Sequence, residues 1–526
     1  MPSEIELKLS VLPKEVQRLT ASPALAAVRP QRFKLFNTYY DTPALDLSRR
    51  GIALRLRRKA RNTWLMTVKG GDSGAGGLAH RDEWEAPTQP GEFDFDIVTD
   101  ADLCSFLKTH AADLRPVFST DFMRTTWLVE YSGGRIEVAL DRGKIDAVRL
   151  DDGVTSASEP ICELELELIE GGSSDALFGL AIELASDVRL HPAIASKAER
   201  GYALAAPTTV LPANSEPSPI ARGMTTGEAY RLLALSCVLQ LQRNEPGVLA
   251  GEGAEYLHQA RVAIRRLRSA FRTFGPALTP AFIKTYAPRW AELGRRLGGS
   301  RDWDVFLAET LTPLEAAFPD DGSLVRLRER SLSLQAEARA AAVAILSSED
   351  YSRLLLAFSA ALWRCEPPTF EVEKKSATTR RCGKRAKHKA KHDKETLRRF
   401  ASAQLQKNWA AVRHILRHWS GKANPPDDAV WHRLRIALKR LRYGLEFFAP
   451  LLPRKRLRRY LVGLTAIQDL LGKFNDQAIA VGLIDELCVD EESRPLLQGW
   501  LAGRKHLLVE ALTDTMKHLL KQRQPW

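Results

Sequence analysis

The sequence predicts a multidomain α+β chain, with a β-rich N-terminal part and an all-α C-terminal part. Its 526 residues exceed the ~100–200 of a typical domain. Up to about residue 205, apolar and charged residues alternate with period two, whereas from about 224 apolar residues recur every three or four positions. The Pro-rich segment 206–221 separates the two patterns. We therefore predict a first domain at 1–205, a linker at 206–221 and a helical domain at 222–526.

Composition narrows the class of protein. Hydrophobic content of 44% and charged content of 27% are those of a folded globular chain. Apolar runs are shorter than the ~18 residues of a spanning helix, and the acidic start at Met1–Glu4 is unlike a signal peptide. The six cysteines have no C-x-x-C spacing, which argues against structural zinc. We expect a cytoplasmic protein with no membrane segment.

Charge differs between the two parts. Residues 1–210 contain 25 Lys and Arg against 31 Asp and Glu, so the remaining 52 bases and 33 acids give the rest of the chain +19. Such an excess of bases predicts a polyanionic partner: nucleic acid, an anionic membrane surface or a phosphate polymer.

The predicted strands each have one charged face and one apolar face, since successive side chains of a strand point to opposite sides. Three carboxylates in a row repel one another, and a divalent cation with oxygen ligands relieves that repulsion. Arg and Lys on opposite strands would then hold phosphate. A closed barrel with a charged interior explains why both signs recur. The same-face sets are Glu4, Glu6 and Lys8; Arg55 and Arg57; Glu83 and Glu85; Glu137 and Asp141; Glu163, Glu165 and Glu167.

Residues 1–205 resemble the CYTH superfamily, the triphosphate tunnel metalloenzymes. The N-terminal Glu4-x-Glu6-x-Lys8 matches the ExExK signature, and further stations follow in family order. They are Tyr39-Tyr40-Asp41-Thr42, Arg55-x-Arg57, Lys69, Arg81-x-Glu83, Arg124, Glu137 with Asp141, Glu163-x-Glu165-x-Glu167, and Lys197 before Arg200-Gly201-Tyr202. The resemblance implies an eight-stranded antiparallel tunnel that binds triphosphate end to end.

The resemblance also implies a role for each position. Triphosphate oxygens would be bound by Lys8, Arg55, Arg57, Lys69, Arg124 and Lys197. A Mg²⁺ or Mn²⁺ ion would be held by Glu163 and Glu165, and a second metal by Glu4 and Glu6. Glu4, Glu6 and Lys8 form the implied catalytic set, and Glu83, Glu137 and Asp141 support the bases or the metal.

The helical part contains an internal repeat. His258-x-x-Arg261-x-x-x-Arg265-Arg266-Leu267-Arg268 recurs 174 residues later as His432-x-x-Arg435-x-x-x-Lys439-Arg440-Leu441-Arg442. At 100° per residue, the basic residues of each copy form one stripe along a helix. A regular cationic stripe without interleaved aromatics favours a linear phosphate chain over stacked bases.

This repeat resembles the CHAD domain, the conserved histidine α-helical domain that commonly follows CYTH. The resemblance implies two pseudo-symmetric four-helix bundles, here about 222–365 and 400–526, with a basic insert at about 374–399. It also implies binding of inorganic polyphosphate by His258, Arg261, Arg265, Arg268, His432, Arg435, Lys439 and Arg442.

Together these patterns predict metal-dependent hydrolysis of inorganic triphosphate by the tunnel, with polyphosphate bound by the helical domain. CYTH chains joined to a basic helical domain are mostly inorganic triphosphatases. Two alternatives stay open: a non-catalytic polyphosphate-binding protein, and a nucleotide-directed enzyme such as an adenylate cyclase or a nucleoside or thiamine triphosphatase. The partners expected are inorganic triphosphate and polyphosphate, without specific nucleic acid or membrane, in a protein associated with cytoplasmic polyphosphate granules. The sequence leaves the oligomeric state open.

Overall fold

A computed structural model of the chain describes residues 3–60, 63–71, 74–148, 155–206, 211–364, 385–417, 427–487, 493–520 and 524–526. Nine strands lie in the N-terminal part. They are β1 (Ser3–Val11), β2 (Gln31–Asp41), β3 (Ile52–Ala60), β4 (Thr63–Gly70), β5 (Leu78–Thr88), β6 (Arg115–Tyr131), β7 (Gly134–Val148), β8 (Thr155–Gly171) and β9 (Leu190–Pro192).

The strands form one antiparallel sheet that closes on itself. Its order is β5-β4-β3-β2-β6-β7-β8-β1-β9, and β1 also pairs with β5. That last pairing joins the two ends of the sheet, so β1 to β8 form a closed barrel and β9 extends β1 on its outer edge. The predicted eight-stranded antiparallel barrel is confirmed.

The barrel carries charge inside and apolar residues outside. On β1, Leu7 and Leu9 are fully buried in a core cluster that also contains Leu164 and Leu166 of β8. Their neighbours Lys8 and Glu165 line the interior cavity. The period-two pattern of the sequence is therefore the division between barrel wall and barrel interior.

Charged residues of opposite sign lie directly across from one another on neighbouring strands. Lys8 of β1 pairs in register with Glu165 of β8, and Arg124 of β6 with Asp141 of β7. On the far wall, Lys69 of β4 is opposite Glu83 of β5. Such cross-strand pairs stabilise the sheet while keeping charges inside the barrel.

Seventeen α-helices are present in the described residues. They are α1 (Val16–Thr20), α2 (Pro23–Ala26), α3 (Asp46–Arg49), α4 (Ala101–His110), α5 (Ser174–Leu184), α6 (Lys197–Ala205), α7 (Thr226–Ala250), α8 (Ala254–Phe274), α9 (Pro280–Arg296), α10 (Gly298–Val305), α11 (Thr312–Ala317), α12 (Gly322–Leu346), α13 (Glu349–Trp363), α14 (Arg385–Arg417), α15 (Asp428–Phe447), α16 (Arg454–Glu486) and α17 (Ser493–Leu520). Among the described helices, none has the length and apolar character required to cross a membrane.

The helices from α7 onward follow the 174-residue repeat of the sequence. α8 and α15 begin 174 residues apart, and so do α9 and α16. The copies differ in one respect: α16 is continuous over Arg454–Glu486, whereas the first copy divides the corresponding stretch into α9, α10 and a π-helical turn. Side chains of α10, α12, α16 and α17 share one core cluster, so both copies contribute to a common interior.

The Pro-rich segment is packed along its described part, 211–221. Asn244 of α7 accepts a hydrogen bond from the Ala213 amide and donates one to its carbonyl, at 3.0 and 2.9 Å. Ser218 Oγ donates to the Phe447 carbonyl at 2.6 Å, and Ile220 is 2% exposed. Residues 207–210 lie outside the described range.

The chain forms two compact units: 1–211 with 347–367, and 212–346 with 368–526. Helix α13 therefore belongs to the barrel unit, although it follows the first helical copy in sequence. The sequence prediction had included these residues in the first repeat, about 222–365. The predicted basic insert, 374–399, lies outside the described residues up to 384 and within α14 from 385.

Helix α13 is anchored to the barrel by polar contacts. Ser352 Oγ accepts a hydrogen bond from Arg189 Nε and contacts His191 Nδ1, both at 3.1 Å. Trp363 Nε1 donates to the Ala75 carbonyl, in the β4–β5 connection, at 3.0 Å. The helix thereby holds both β9 and the turn that leads into β5.

Shortening Leu356 to alanine should destabilise the barrel unit by about 2–5 kcal/mol, because it removes a buried side chain from the cluster under β1 and β8. Amide hydrogen exchange of β1 and β9 peptides measures the effect. Leu332→Ala is the control, since Leu332 is 45% exposed in the other unit. Equal protection in both variants would show that α13 contributes nothing to barrel stability.

Candidate functional site

The barrel interior is a cavity of about 260 Å³. Every barrel strand except β2 contributes at least one charged residue to its lining. Those lining the cavity are Glu6, Lys8, Arg55, Arg57, Lys69, Arg81, Glu83, Arg124, Glu137, Glu165, Glu167, Lys197 and Glu199.

Three carboxylates converge on one side of the interior. Asp141, Glu163 and Glu165 each offer an oxygen within 4.8 Å of those of the other two. Asp141 is fully buried and Glu163 is 3% exposed. Adjacent strands bring them together, since Asp141 of β7 is in register with Glu163 of β8. Clustered carboxylate oxygens suit a hard divalent cation such as Mg²⁺ or Mn²⁺.

Cationic side chains surround this carboxylate cluster. Arg124 donates to both oxygens of Asp141 at 2.7 and 2.6 Å and to Glu165 at 2.5 Å. Lys197 Nζ contacts all three carboxylates, with distances of 2.7 Å to Asp141 and 2.9 Å to Glu165. Arg200 donates to Glu163 at 2.9 Å. Four cations and three carboxylates thus form one buried network when Lys8, 3.8 Å from Glu165, is included.

The network determines protonation at its centre. Burial alone would raise the pKa of Glu165, but Lys197 and Arg124 outweigh it and hold that pKa well below the ordinary value. Burial alone would lower the pKa of Lys197, and the three carboxylates instead raise it above the ordinary lysine range. Glu165 is therefore ionised and Lys197 charged at neutral pH.

The opposite wall presents cations with fewer carboxylates. Lys69 and Arg55 share Glu83, at 2.9 and 3.5 Å. Arg57 Nε donates to Asn37 Oδ1 at 3.0 Å. Burial, followed by the nearby Arg55 and Arg124, lowers the pKa of Arg57 to about 10. Closely spaced cations in a buried cavity lower one another's pKa, and a bound polyanion relieves that repulsion.

The N-terminal strand contributes Glu6 and Lys8, both about 5% exposed and 3.7 Å apart between Oε1 and Nζ. Glu6 lines the cavity but is not part of the carboxylate cluster. The side chain of Glu4 lies outside the described residues. The structure thus places Asp141, assigned a supporting role from sequence, beside Glu163 and Glu165, and leaves Glu6 apart from them.

Helix α6 positions Lys197 against the carboxylate cluster. Ser196 caps the helix in a capping box with Glu199, which positions Lys197 as its first residue. Gly201 packs directly against the Phe118 ring, where any Cβ would overlap the ring atoms. Sequence reasoning identified this motif but missed Asn37, which is fully buried and orients Arg57; an isolated Asn in a strand gave no signal.

In the helical unit, the two basic stripes meet between α8 and α15. Arg265 Nε donates to the Tyr443 hydroxyl at 2.7 Å, and Arg265 lies close enough to Arg435 and Lys439 to alter their pKa values. Burial, followed by Arg435 and Arg265, lowers the pKa of Lys439 to about 7. The structure therefore brings cations of both copies into one cluster, which we call the helical cation cluster: Arg261, Arg265, Arg435 and Lys439.

Other residues of the predicted stripes differ in their burial and in their partners. Arg442 donates to Glu446 at 2.6 Å and to Gln468 at 3.0 Å, so its charge is partly neutralised. His258 is half-buried, and burial with nearby Arg301 lowers its pKa, whereas His432 is exposed. Arg268 is half-buried next to Arg272.

Comparison with known proteins agrees with this division. A family model described as the CYTH domain matches residues 2–202, and one described as the CHAD domain matches 233–485. A curated relative from Haemophilus influenzae, an inorganic triphosphatase, is 36% identical over 210 residues. That match covers 39% of this chain and 55% of the relative, so the chain spans about half the length of the curated protein it matches.

Solved structures show lower overall similarity. The CHAD domain of the plant Ricinus communis is 28% identical and covers 60% of this chain and 99% of its own, with a TM-score of 0.47. A Hippeastrum protein described as a putative adenylyl cyclase with dominant triphosphatase activity is 19% identical, covers 37% and 92%, and has a TM-score of 0.28. The family matches, in the order that the fold and motifs indicate, identify this chain as a CYTH domain followed by a CHAD domain.

Proposed function

We propose that the barrel hydrolyses inorganic triphosphate with a bound Mg²⁺ or Mn²⁺ ion. The observation that carries the proposal is a cavity inside a closed barrel, with a carboxylate cluster on one wall and Arg55, Arg57 and Lys69 on the other. Phosphoanhydride cleavage depends mainly on positioning and charge neutralisation, which this arrangement supplies. The 36% identical inorganic triphosphatase supports the same substrate class.

The proposed roles of the cavity residues follow from the group that each would contact. Arg55, Arg57, Lys69 and Lys8 are proposed to bind phosphate oxygens, while Arg124 both binds phosphate and holds the carboxylates in place. Glu163 and Glu165, joined by Asp141, are proposed to hold the metal, which when bound would neutralise phosphate charge and lower the pKa of a coordinated water. Glu4 and Glu6 are proposed to orient the attacking water, and Glu83 and Glu137 to support the neighbouring bases.

The alternatives differ in substrate. An adenylate cyclase, a nucleoside triphosphatase or a thiamine triphosphatase would act on a triphosphate that carries an organic group. Release of phosphate from tripolyphosphate, ATP and thiamine triphosphate under matched metal and pH conditions distinguishes them. A protein that binds all three without releasing phosphate would be a sensor rather than an enzyme.

For the helical unit we propose binding of inorganic polyphosphate at the helical cation cluster. Arg265, Arg435 and Lys439 come from both copies and lie within electrostatic reach of one another. Grouped cations at partly buried positions favour a ligand with closely spaced negative charges. A cytoplasmic location with association to polyphosphate granules is part of the same proposal.

Replacing Glu163 and Glu165 together by glutamine should slow tripolyphosphate hydrolysis about 10³-fold or more, because the metal loses two charged ligands. Phosphate release by the full chain is the measurement, with circular dichroism to check folding. Glu170→Gln is the control, since Glu170 lies on the same strand with its side chain 75% exposed. A folded double variant with wild-type activity would exclude these residues as metal ligands.

Replacing Arg265, Arg435 and Lys439 by alanine should weaken binding of long-chain polyphosphate and reduce the slope of log K against log salt by about 2, because fewer counterions are released. The control replaces the exposed Arg330, Arg433 and Arg459 of the same unit. Equal losses in the two triple variants would show that net charge, and not the cluster, determines affinity.

Polyphosphate affinity should fall as pH rises from 7 to 8.5, because Lys439, with a pKa of about 7, loses its charge in that range. Binding a polyanion favours the ammonium form, so complex formation should take up protons. Burial and nearby Arg301 lower the pKa of the half-buried His258, and a polyanion bound beside it would favour its protonated form as well. Calorimetry in buffers of different ionisation enthalpy measures the uptake, and Lys439→Arg should reduce it. An unchanged uptake in that variant would contradict the assignment.

A further inference from the structure

The ammonium of Lys197 lies at the centre of the carboxylate cluster. It contacts Asp141 Oδ2 at 2.7 Å and Glu165 Oε1 at 2.9 Å, and it donates to Glu163 Oε1. An ammonium has three N–H donors, so each donor of Lys197 has one carboxylate acceptor. The side chain is 8% exposed. Lys197 therefore acts as an internal counter-ion for these three acids.

The other carboxylate oxygens are held by guanidinium groups. Arg124 binds both oxygens of Asp141 and Glu165 Oε2, and Arg200 binds Glu163 Oε2. Three oxygens converge on Lys197 Nζ: Glu163 Oε1, Glu165 Oε1 and Asp141 Oδ2, the last of which also accepts from Arg124. An ion coordinated at that point by all three acids would use the same three atoms that Lys197 binds. A Mg²⁺ ion requires oxygens at about 2.0–2.1 Å, which leaves no room for an ammonium bound to the same three atoms. Metal and ammonium therefore exclude each other.

Charge balance adds a second consequence. The four cations of the network, Lys8, Arg124, Lys197 and Arg200, contact five carboxylates once Glu6, a partner of Lys8, and Glu159, a partner of Arg200, are counted with the cluster. A divalent cation adds two positive charges to these groups and leaves excess positive charge unless an anion enters with it. Lys197 also lines the cavity, and its flexible four-carbon stem allows its ammonium to move while the α6 backbone stays in place.

We propose that Lys197 is a positioning residue that exchanges with the metal: it occupies the carboxylate cluster until a divalent cation displaces it, and its ammonium then binds the incoming phosphate chain. This rests on the proposed metal-dependent function. Under this exchange, the protein binds a divalent cation weakly in the absence of phosphate, and the cation and the phosphate chain bind cooperatively. The lysine thus keeps the three acids in place before the metal arrives.

The test is Mn²⁺ binding to the full chain without any phosphate, measured from the electron paramagnetic resonance signal of free Mn²⁺. Lys197→Met should bind Mn²⁺ at least ~10-fold more tightly than wild type, because charge-assisted hydrogen bonds no longer compete for the oxygens. Lys69→Met is the matched control: it removes the same charge from the same cavity, but its partner is Glu83. Its affinity should rise less than that of Lys197→Met, since Lys69 acts on the ion only by charge across the cavity, whereas Lys197 also competes for the oxygens. Equal tightening in both variants, or weaker binding in Lys197→Met, would overturn the exchange.

A measurement on the wild-type protein is independent of variant folding. Reductive methylation by formaldehyde, quantified by peptide mass spectrometry, should modify Lys197 slowly without metal and faster with Mn²⁺. Unchanged modification would contradict displacement. The two proposals fail differently: Mn²⁺-dependent hydrolysis without any Lys197 effect rejects only the exchange, whereas absence of both Mn²⁺ binding and hydrolysis rejects the enzyme itself.

Discussion

Neutralisation of buried charge is the constraint on which the barrel depends. Carboxylates enclosed by a β-barrel lose much of their hydration, and each requires a partner at hydrogen-bond distance. The network meets that requirement through strand register, since Lys8 faces Glu165 and Arg124 faces Asp141. The apolar clusters outside the wall then hold the strands in that register. Fold and site are consequently specified by the same alternation of residues.

Much of this could be predicted from sequence, and the exceptions have physical reasons. The alternation of apolar and charged residues predicted which side chains face inward, and the motifs that follow in family order predicted the barrel. Asp141 beside Glu163 could not be predicted, because that proximity depends on the pairing of β7 with β8. Nor does sequence give the direction of Lys197, whose side chain could point to acids or into the open cavity. Helix α13 was assigned by chain order, although its partners are around Arg189 and Ala75.

The duplicated motif of the helical part predicts where helices begin but does not predict the charge of each copy. The common offset correctly aligned the starts of α8 and α15, but it does not give each copy the same charge. Glu446, which binds Arg442, corresponds to Arg272 in the first copy, so one stripe ends in an ion pair and the other in a further cation. Extending the alignment by one helical turn would have revealed this difference. Arg265 of α8 contributes to the lowered pKa of Lys439, and no local pattern in the second copy indicates that.

The position of α13 in the chain has a consequence for synthesis. The barrel's last cavity-lining helix, α6, ends at Ala205, and α13 ends at Trp363. At about 5–20 residues per second, a ribosome takes on the order of ten seconds or more to reach α13 after finishing α6. During that interval, β1, β8 and α5 leave exposed the apolar surface that Leu356 and Ala360 later cover. A barrel that folds before α13 is synthesised therefore exposes this apolar surface until α13 packs on it, and chaperones and proteases act on such exposed surface.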